Sequence, residues 1–372
     1  MANSSILLSE YLENVLPTDY MPKSLQPVLF GLYGEVGSVM ATSKKFHREK
    51  ENYLGYRHDA IDEFGDVFWY FCAICRRLRI NIEPLLLDIK SPFSNTKFLA
   101  TDLSNWPVAY TLQSGNSLIL DQTLLELGQA ASSLLDIKKN SPHLKERLSK
   151  FLLNYLLSLQ ASKLSFGEVL IYNLIKTRGR FLPLENQELP SFDIEFEMEE
   201  QLPREFEILL SQRKSGKTYI QYRGVFIGDP LTDNIIDKDG YRYHDVFHFS
   251  HAAILHWSPV FRALIKHKRK SDPLFDETQD SGRAIVVEEG LTAWIFSQAK
   301  RVGFFEGRNT ISFDILKTVQ RFISGYEVEK CPLKLWEKAI LDGYKVFSEV
   351  KKNDGGKIIG DLNKRTINYE KL

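Results

Sequence analysis

The stretch DAIDEFGDVFWYFCAICRRL, residues 59–78, decides how the rest of the chain is read. Wound as an α-helix, it sets Ile61, Phe64, Phe68, Phe71, Cys75 and Leu78 at heptad-like spacing, which makes one apolar seam and predicts a core-facing helix. On the opposite side Asp59, Glu63 and Asp66 fall at i, i+4 and i+7, with Asp62 one step round, so several carboxylates converge on one patch. A solvated acidic face would account for them. Yet the same face runs on through Tyr70, Ala73 and Ile74, which suits burial against another helix, and buried carboxylates call for a counter-charge. A hard divalent cation, Mg²⁺ or Mn²⁺, would supply it through oxygen ligands.

Upstream, SLQPVLFGLYGEVGSVMATSKKFH (24–47) reads as an amphipathic helix with Glu35, Ser38, Thr42 and Lys45 on a shared polar face. The polar segment between the two helices contains Gly55 and reads as a loop that lets them pack antiparallel. Glu35 would then face Glu63 and Asp66.

GLYGEVGS, 24 residues, then EFGD is a pattern that resembles the all-α nucleotide pyrophosphohydrolases related to MazG and the dimeric dUTPases, with their E-x-x-E and E-x-x-D on facing helices. The resemblance implies hydrolysis of nucleoside triphosphates to monophosphate and pyrophosphate, with Mg²⁺ held by Glu35, Glu63 and Asp66. Ser38 stands where the family has its second Glu, and Asp62 or Asp59, each one turn from an expected ligand, is the candidate to compensate.

The pattern then recurs. LLELGQAASSLLDIKK (124–139) echoes LYGEVGSVMATSKKF, with Glu126 for Glu35 and Gln129 for Ser38. Residues 146–170 lie without a gap on residues 62–86, which puts Arg147 at the place of Glu63 and Lys150 at that of Asp66. Two charge reversals at those positions are incompatible with a cation. The expectation is a tandem pseudo-dimer, in which one repeat keeps the metal site and the other supplies partner helices; general likeness between amphipathic helices is the competing account. NLIKTRGRF (173–181) resembles the family's closing N-x-x-K-x-x-R stretch, with Arg178 one residue early. Asn173, Lys176, Arg178 and Arg180, together with Lys45, Arg147 and Lys150, are the candidates to hold polyphosphate, set against an ordinary basic helix end.

With 48 basic and 48 acidic residues in 372, no net field draws the chain to nucleic acid or to an anionic membrane. Cys72, Cys75 and Cys331 are too few for a disulfide framework and read as reduced core residues. The N-terminal residues lack a basic start followed by a long apolar run, and no uncharged stretch is long enough to span a bilayer, so the expectation is a cytoplasmic protein. A homo-oligomer is compatible with the pattern.

Residues 184–203 are acidic, contain Pro190 and Pro203, and read as a linker; the second domain is expected over 204–372. KTYIQYRGVFIGDP (217–230) suggests a small strand pair. YHDVFHFSHAAILHW (243–257) reads as a helix with His244, His248 and His251 on one face and Asp245 beside them; the helix RAIVVEEGLTAWIFSQAKR (283–301) carries Glu288 and Glu289 in an apolar context. Such a set either chelates a transition metal or satisfies itself by hydrogen bonding across a helix interface. The region is similar to the C-terminal domain attached to some MazG-like proteins, and the remainder reads mostly as helix with a basic, glycine-containing tail.

The expected architecture is all-α: a tandem MazG-like helical bundle over 1–183, with an active-type repeat at about 24–90 and a degenerate one at about 120–181, followed by a mainly helical domain with a small β element. The expected function is Mg²⁺-dependent hydrolysis of a nucleotide, the alternative a lapsed enzyme that senses nucleotides or scaffolds the C-terminal domain.

Overall fold

The computed structural model describes residues 6–87, 89, 97–98, 112–113, 119–233, 236 and 238–372. Residues 1–5 of the N-terminal stretch and residues 88 and 90 at the end of the first repeat lie outside the described residues. Two compact units divide at the 182/183 bond.

The first unit contains α1 (Leu8–Val15), α2 (Leu25–Glu49), α3 (Tyr56–Leu78), α4 (Ile82–Leu87), α5 (Leu120–Ser133), α6 (Leu144–Ala161) and α7 (Phe166–Phe181). Beside them is an antiparallel pair of two-residue strands, β1 (Lys97–Phe98) and β2 (Leu112–Gln113). The centre is α3. Its apolar seam lies in the core as the spacing predicts, and Val67, Trp69, Ala73 and Ile74 are buried as well, so the helix is enclosed on more than one face. Phe68 packs on Tyr155 and Phe166, and Phe71 stacks on Phe151. Tyr155 donates its hydroxyl to the Phe64 carbonyl at 3.0 Å, which ties α6 to α3. Because Phe68 is fully buried among rings, Phe68→Ala is expected to cost about 3–5 kcal/mol, read as a lower urea midpoint.

Helices α2 and α3 approach closely at Gly31, where a Cβ would come within 2.1 Å of the Tyr70 ring. Helices α5 and α6 form a second packed pair, and α5 also lies against α2. Cys72, Cys75 and, in the second unit, Cys331 are free and buried, as their number in the sequence implies.

The second unit carries a five-stranded antiparallel sheet of order β5-β4-β3-β6-β7, made of β3 (Glu205–Gln212), β4 (Thr218–Tyr222), β5 (Val225–Leu231), β6 (Gly355–Asp361) and β7 (Thr366–Glu370). Its helices are α8 (Asp245–Ser250), running on as a π-helical segment (His251–Leu255), α9 (Pro259–Ile265), the single turn α10 (Pro273–Phe275), α11 (Gly282–Arg301), α12 (Phe313–Phe322) and α13 (Leu333–Asn353). Phe206, Ile208 and Leu210 of β3 alternate into the core, and Ile208 pairs with Ile358 in register. The β4–β5 hairpin is the strand pair expected at 217–230; Arg223 and Gly224, both at positive φ, make its two-residue turn.

Two expectations are corrected here. The protein is mainly helical rather than all-α: the small β element is a five-stranded sheet, to which the glycine-containing tail contributes β6 and β7. Gly355 and Gly356 adopt φ near 142° and 144°, and a Cβ on Gly360 would meet the Phe206 ring at 2.1 Å, so these glycines let β6 lie flush against its neighbours. Nor are residues 184–203 a detached linker. Asp193 is buried and accepts from Arg262 at 2.7 Å, Arg204 at 2.8 Å and the Leu202 amide at 2.7 Å. Arg269 donates to the Phe192 carbonyl. Asp193 is thus the counter-charge of Arg262, which is buried in the second unit.

Candidate functional site

Helices α2 and α3 bring Glu35, Glu63 and Asp66 together, with one oxygen from each inside 4.8 Å of the others. The third wall is α7, and Gly65 admits it: a Cβ there would stand 2.8 Å from Asn173 Cβ, so α7 rests on the bare backbone of α3. Asn173 accepts from Tyr11 at 2.8 Å and donates to Asp66 Oδ1 at 3.1 Å. One turn on, Lys176 Nζ lies 2.5 Å from Asp62 Oδ1 and 2.6 Å from both oxygens of Asp66.

The electrostatics follow from that arrangement. Burial alone would pull the Lys176 ammonium down, but Asp66 and Asp62 outweigh it and hold the group above its ordinary value. Burial, and then the charges of Asp66 and Glu63, push the Glu35 carboxyl up to about 7. Four carboxylates, Glu35, Asp62, Glu63 and Asp66, stand against the one ammonium of Lys176, and a proton held by Glu35 near neutrality offsets only part of the excess. A cluster of hard oxygen donors in want of positive charge fits Mg²⁺ or Mn²⁺. Ser38 stands half-buried one turn beyond Glu35.

Lys45, Arg147 and Arg178, also named from the sequence, have partners of their own. Lys45 sits over the Tyr53 ring at 3.8 Å, Arg178 donates to Asn14 at 2.7 Å, Arg147 pairs with Asp136, and Lys150 is exposed on α6. Asp59 accepts from the Tyr53 hydroxyl. The sequence reading named Lys176 for phosphate but missed its seat on Asp62 and Asp66. Only the packing of α7 at Gly65, a contact over a separation of 108 positions, reveals it.

In the second unit α8 and α11 assemble the histidines and glutamates. His248 and Glu288 are fully buried. Glu288 accepts from Ser258 Oγ at 2.8 Å and from the Val260 amide at 2.9 Å, and its Oε1 lies 3.0 Å from His251 Nδ1 in hydrogen-bonding geometry. His248 Nδ1 is also 3.0 Å from that oxygen, but out of line for a hydrogen bond. On the other side, His248 Nε2 and His244 Nε2 lie 3.4 and 3.7 Å from Glu289 Oε2. Burial opposes charge on His248, while Glu288 and Glu289 push its pKa up to about 10; burial likewise opposes charge on Glu288, while His248 and His251 draw it down to about 2. Burial leaves His251 below its ordinary value. Asp245 is buried at the start of α8. Ser258, missed in the sequence, announces itself by Ser-Pro at a helix start: it caps α9 and donates to Glu288.

No curated protein and no solved structure matches the chain. The family model described as the MazG C-terminal domain matches residues 187–372, half of the chain, and takes in both the sheet and the helices that carry the histidines. The chain therefore belongs to the family of proteins with a MazG C-terminal domain.

Proposed function

We propose that the first unit is a Mg²⁺- or Mn²⁺-dependent nucleoside triphosphate pyrophosphohydrolase, and that its α5–α6 pair is a degenerate repeat standing in for a second subunit. The observation that carries this reading is the convergence of Glu35, Glu63 and Asp66 from two packed helices. Membership of a MazG-type family supports a nucleotide-related role.

Glu35, Glu63 and Asp66 would hold the ion. When bound it supplies a Lewis acid that neutralises phosphate oxygens. The chain's own groups do the rest: water attacks phosphorus, its proton passes to Asp62 as the carboxylate left over, and the bond to the pyrophosphate leaving group breaks. Lys176, held between Asp62 and Asp66, is the cation nearest at hand for the polyphosphate. The reading goes with a cytoplasmic setting, supported by three unpaired cysteines and by the lack, among the described residues, of any helix long and apolar enough to cross a membrane.

The test is pyrophosphate release by the full chain from a panel of ribo- and deoxyribonucleoside triphosphates with Mg²⁺. Release above the rate without metal is expected for at least one of them. Ser38 favours a second reading, a lapsed enzyme that senses nucleotides: tight calorimetric binding without turnover, and turnover gained on Ser38→Glu, would select it.

The carboxyl of Glu35 also gives a pH signature. Folding raises its pKa from an ordinary 4.5 to about 7, so the stability it contributes is full below pH 4.5 and is lost as pH rises through 7. Without metal, the melting temperature of the first unit should fall over that range. Mg²⁺ should restore it at pH 8 and do little at pH 5, as scanning calorimetry would read.

A further inference from the structure

We propose that His244, His248 and Glu289 form a binding site for one divalent transition-metal ion, separate from the carboxylate site of the first unit. The spacing is that of ligands around an ion. Two donors about 2.1 Å from a common tetrahedral centre stand about 3.4 Å apart, and His248 Nε2 and His244 Nε2 lie 3.4 and 3.7 Å from the same oxygen of Glu289. All three donor atoms fall within 4.8 Å of one another.

The surroundings act as supports for such ligands. His244 Nδ1 lies 3.0 Å from the Tyr241 carbonyl, in hydrogen-bonding geometry, and the ring stacks on Tyr241 at 4.6 Å; a proton kept on Nδ1 leaves the Nε2 lone pair facing Glu289. His248 adds a second sign: it is fully buried, and its ring nitrogens stand 3.0 and 3.4 Å from Glu288 and Glu289 without meeting hydrogen-bond geometry. Glu288, which lies behind it at 3.0 Å, is already engaged by Ser258, the Val260 amide and His251. The α8 continuation that carries His251 is π-helical, a distortion common beside functional sites.

Access and donor type narrow the ion. The side chain of Glu289 is 40% exposed and that of His244 14%, so an ion can enter and keep coordination positions open to solvent, as a catalytic ion does. Two imidazoles and one carboxylate suit Zn²⁺, Fe²⁺, Co²⁺ or Mn²⁺ and not the all-oxygen preference of Mg²⁺.

The full chain, stripped of metal and held in saturating Mg²⁺ to fill the acidic site, is titrated with Co²⁺ and followed by its visible d–d absorption. One equivalent that Zn²⁺ displaces is expected. That equivalent should vanish in His244→Ala and in Glu289→Gln, both at partly exposed positions where the fold is expected to survive, and remain in Asp66→Asn. The proposal is overturned if the wild-type chain takes up no Co²⁺ under Mg²⁺, which would leave His248 as an imidazolium between two glutamates, or if His244→Ala and Glu289→Gln both keep the band.

Discussion

Asp66→Asn is expected to abolish pyrophosphate release while leaving the fold of the first unit in place. Asp66 is both a member of the oxygen cluster and the main partner of Lys176, with both of its oxygens 2.6 Å from Nζ. An amide removes the charge that a cation needs, and loss of several kcal/mol of transition-state stabilisation is a drop on the order of 10³-fold. The fold survives because the substitution keeps shape: the Asn side-chain oxygen still accepts from Asn173, and Asp62 still engages Lys176. Unchanged turnover, with helical circular dichroism preserved, would remove Asp66 from the machinery. Lys176→Met separates the roles further: activity should fall, but Mg²⁺ should bind more tightly, because the ammonium no longer competes for Asp66.

Glu288→Ala is expected to destabilise the second unit strongly. The carboxylate is fully buried, and its partners are His248, His251, Ser258 and the Val260 amide. Removing one member of a buried charged network strands the others, at a cost of about 3–5 kcal/mol. Chemical denaturation should show that loss in the second unit, while the melting of the first is unmoved. Glu288→Gln retains two acceptor lone pairs for Ser258 and Val260 and should lose less; an equal loss in both variants would mean that the charge, and not the filled volume, holds the site.

Those two sites differ in how far the chain announces them. Period alone exposes the α3 seam and the acids opposite it, because a helix fixes which side chains share a face. Lys176 and Gly65 are legible as residue types only, since nothing local says that α7 will rest on α3. The histidine stripe and the paired glutamates are visible too, but the division between Glu289, facing two imidazoles, and Glu288, held by Ser258, depends on how α11 crosses α8. The strand β6 was hidden by its own composition: Gly355, Gly356 and Gly360 show no alternation, and the partner β3 lies some 150 residues earlier. The acidic stretch 184–203 misled for the reverse reason, as its proline and charge content matches a linker while its arginine partners are far along the chain.

The π-helical run His251–Leu255 bears on how this domain tolerates change in length. Such a run holds one residue more than the α-helical turns it replaces. Deleting a single residue there would restore plain α-helical turns and leave the residues on either side facing as before, whereas a deletion elsewhere in α8 rotates one side against the other by about 100°. In the first case His244 and His248 keep their place relative to Ser258, whose seat on Glu288 fixes the start of α9; in the second they lose it. The π-helical window is therefore the place where the histidine-bearing helix can lose one residue at least cost.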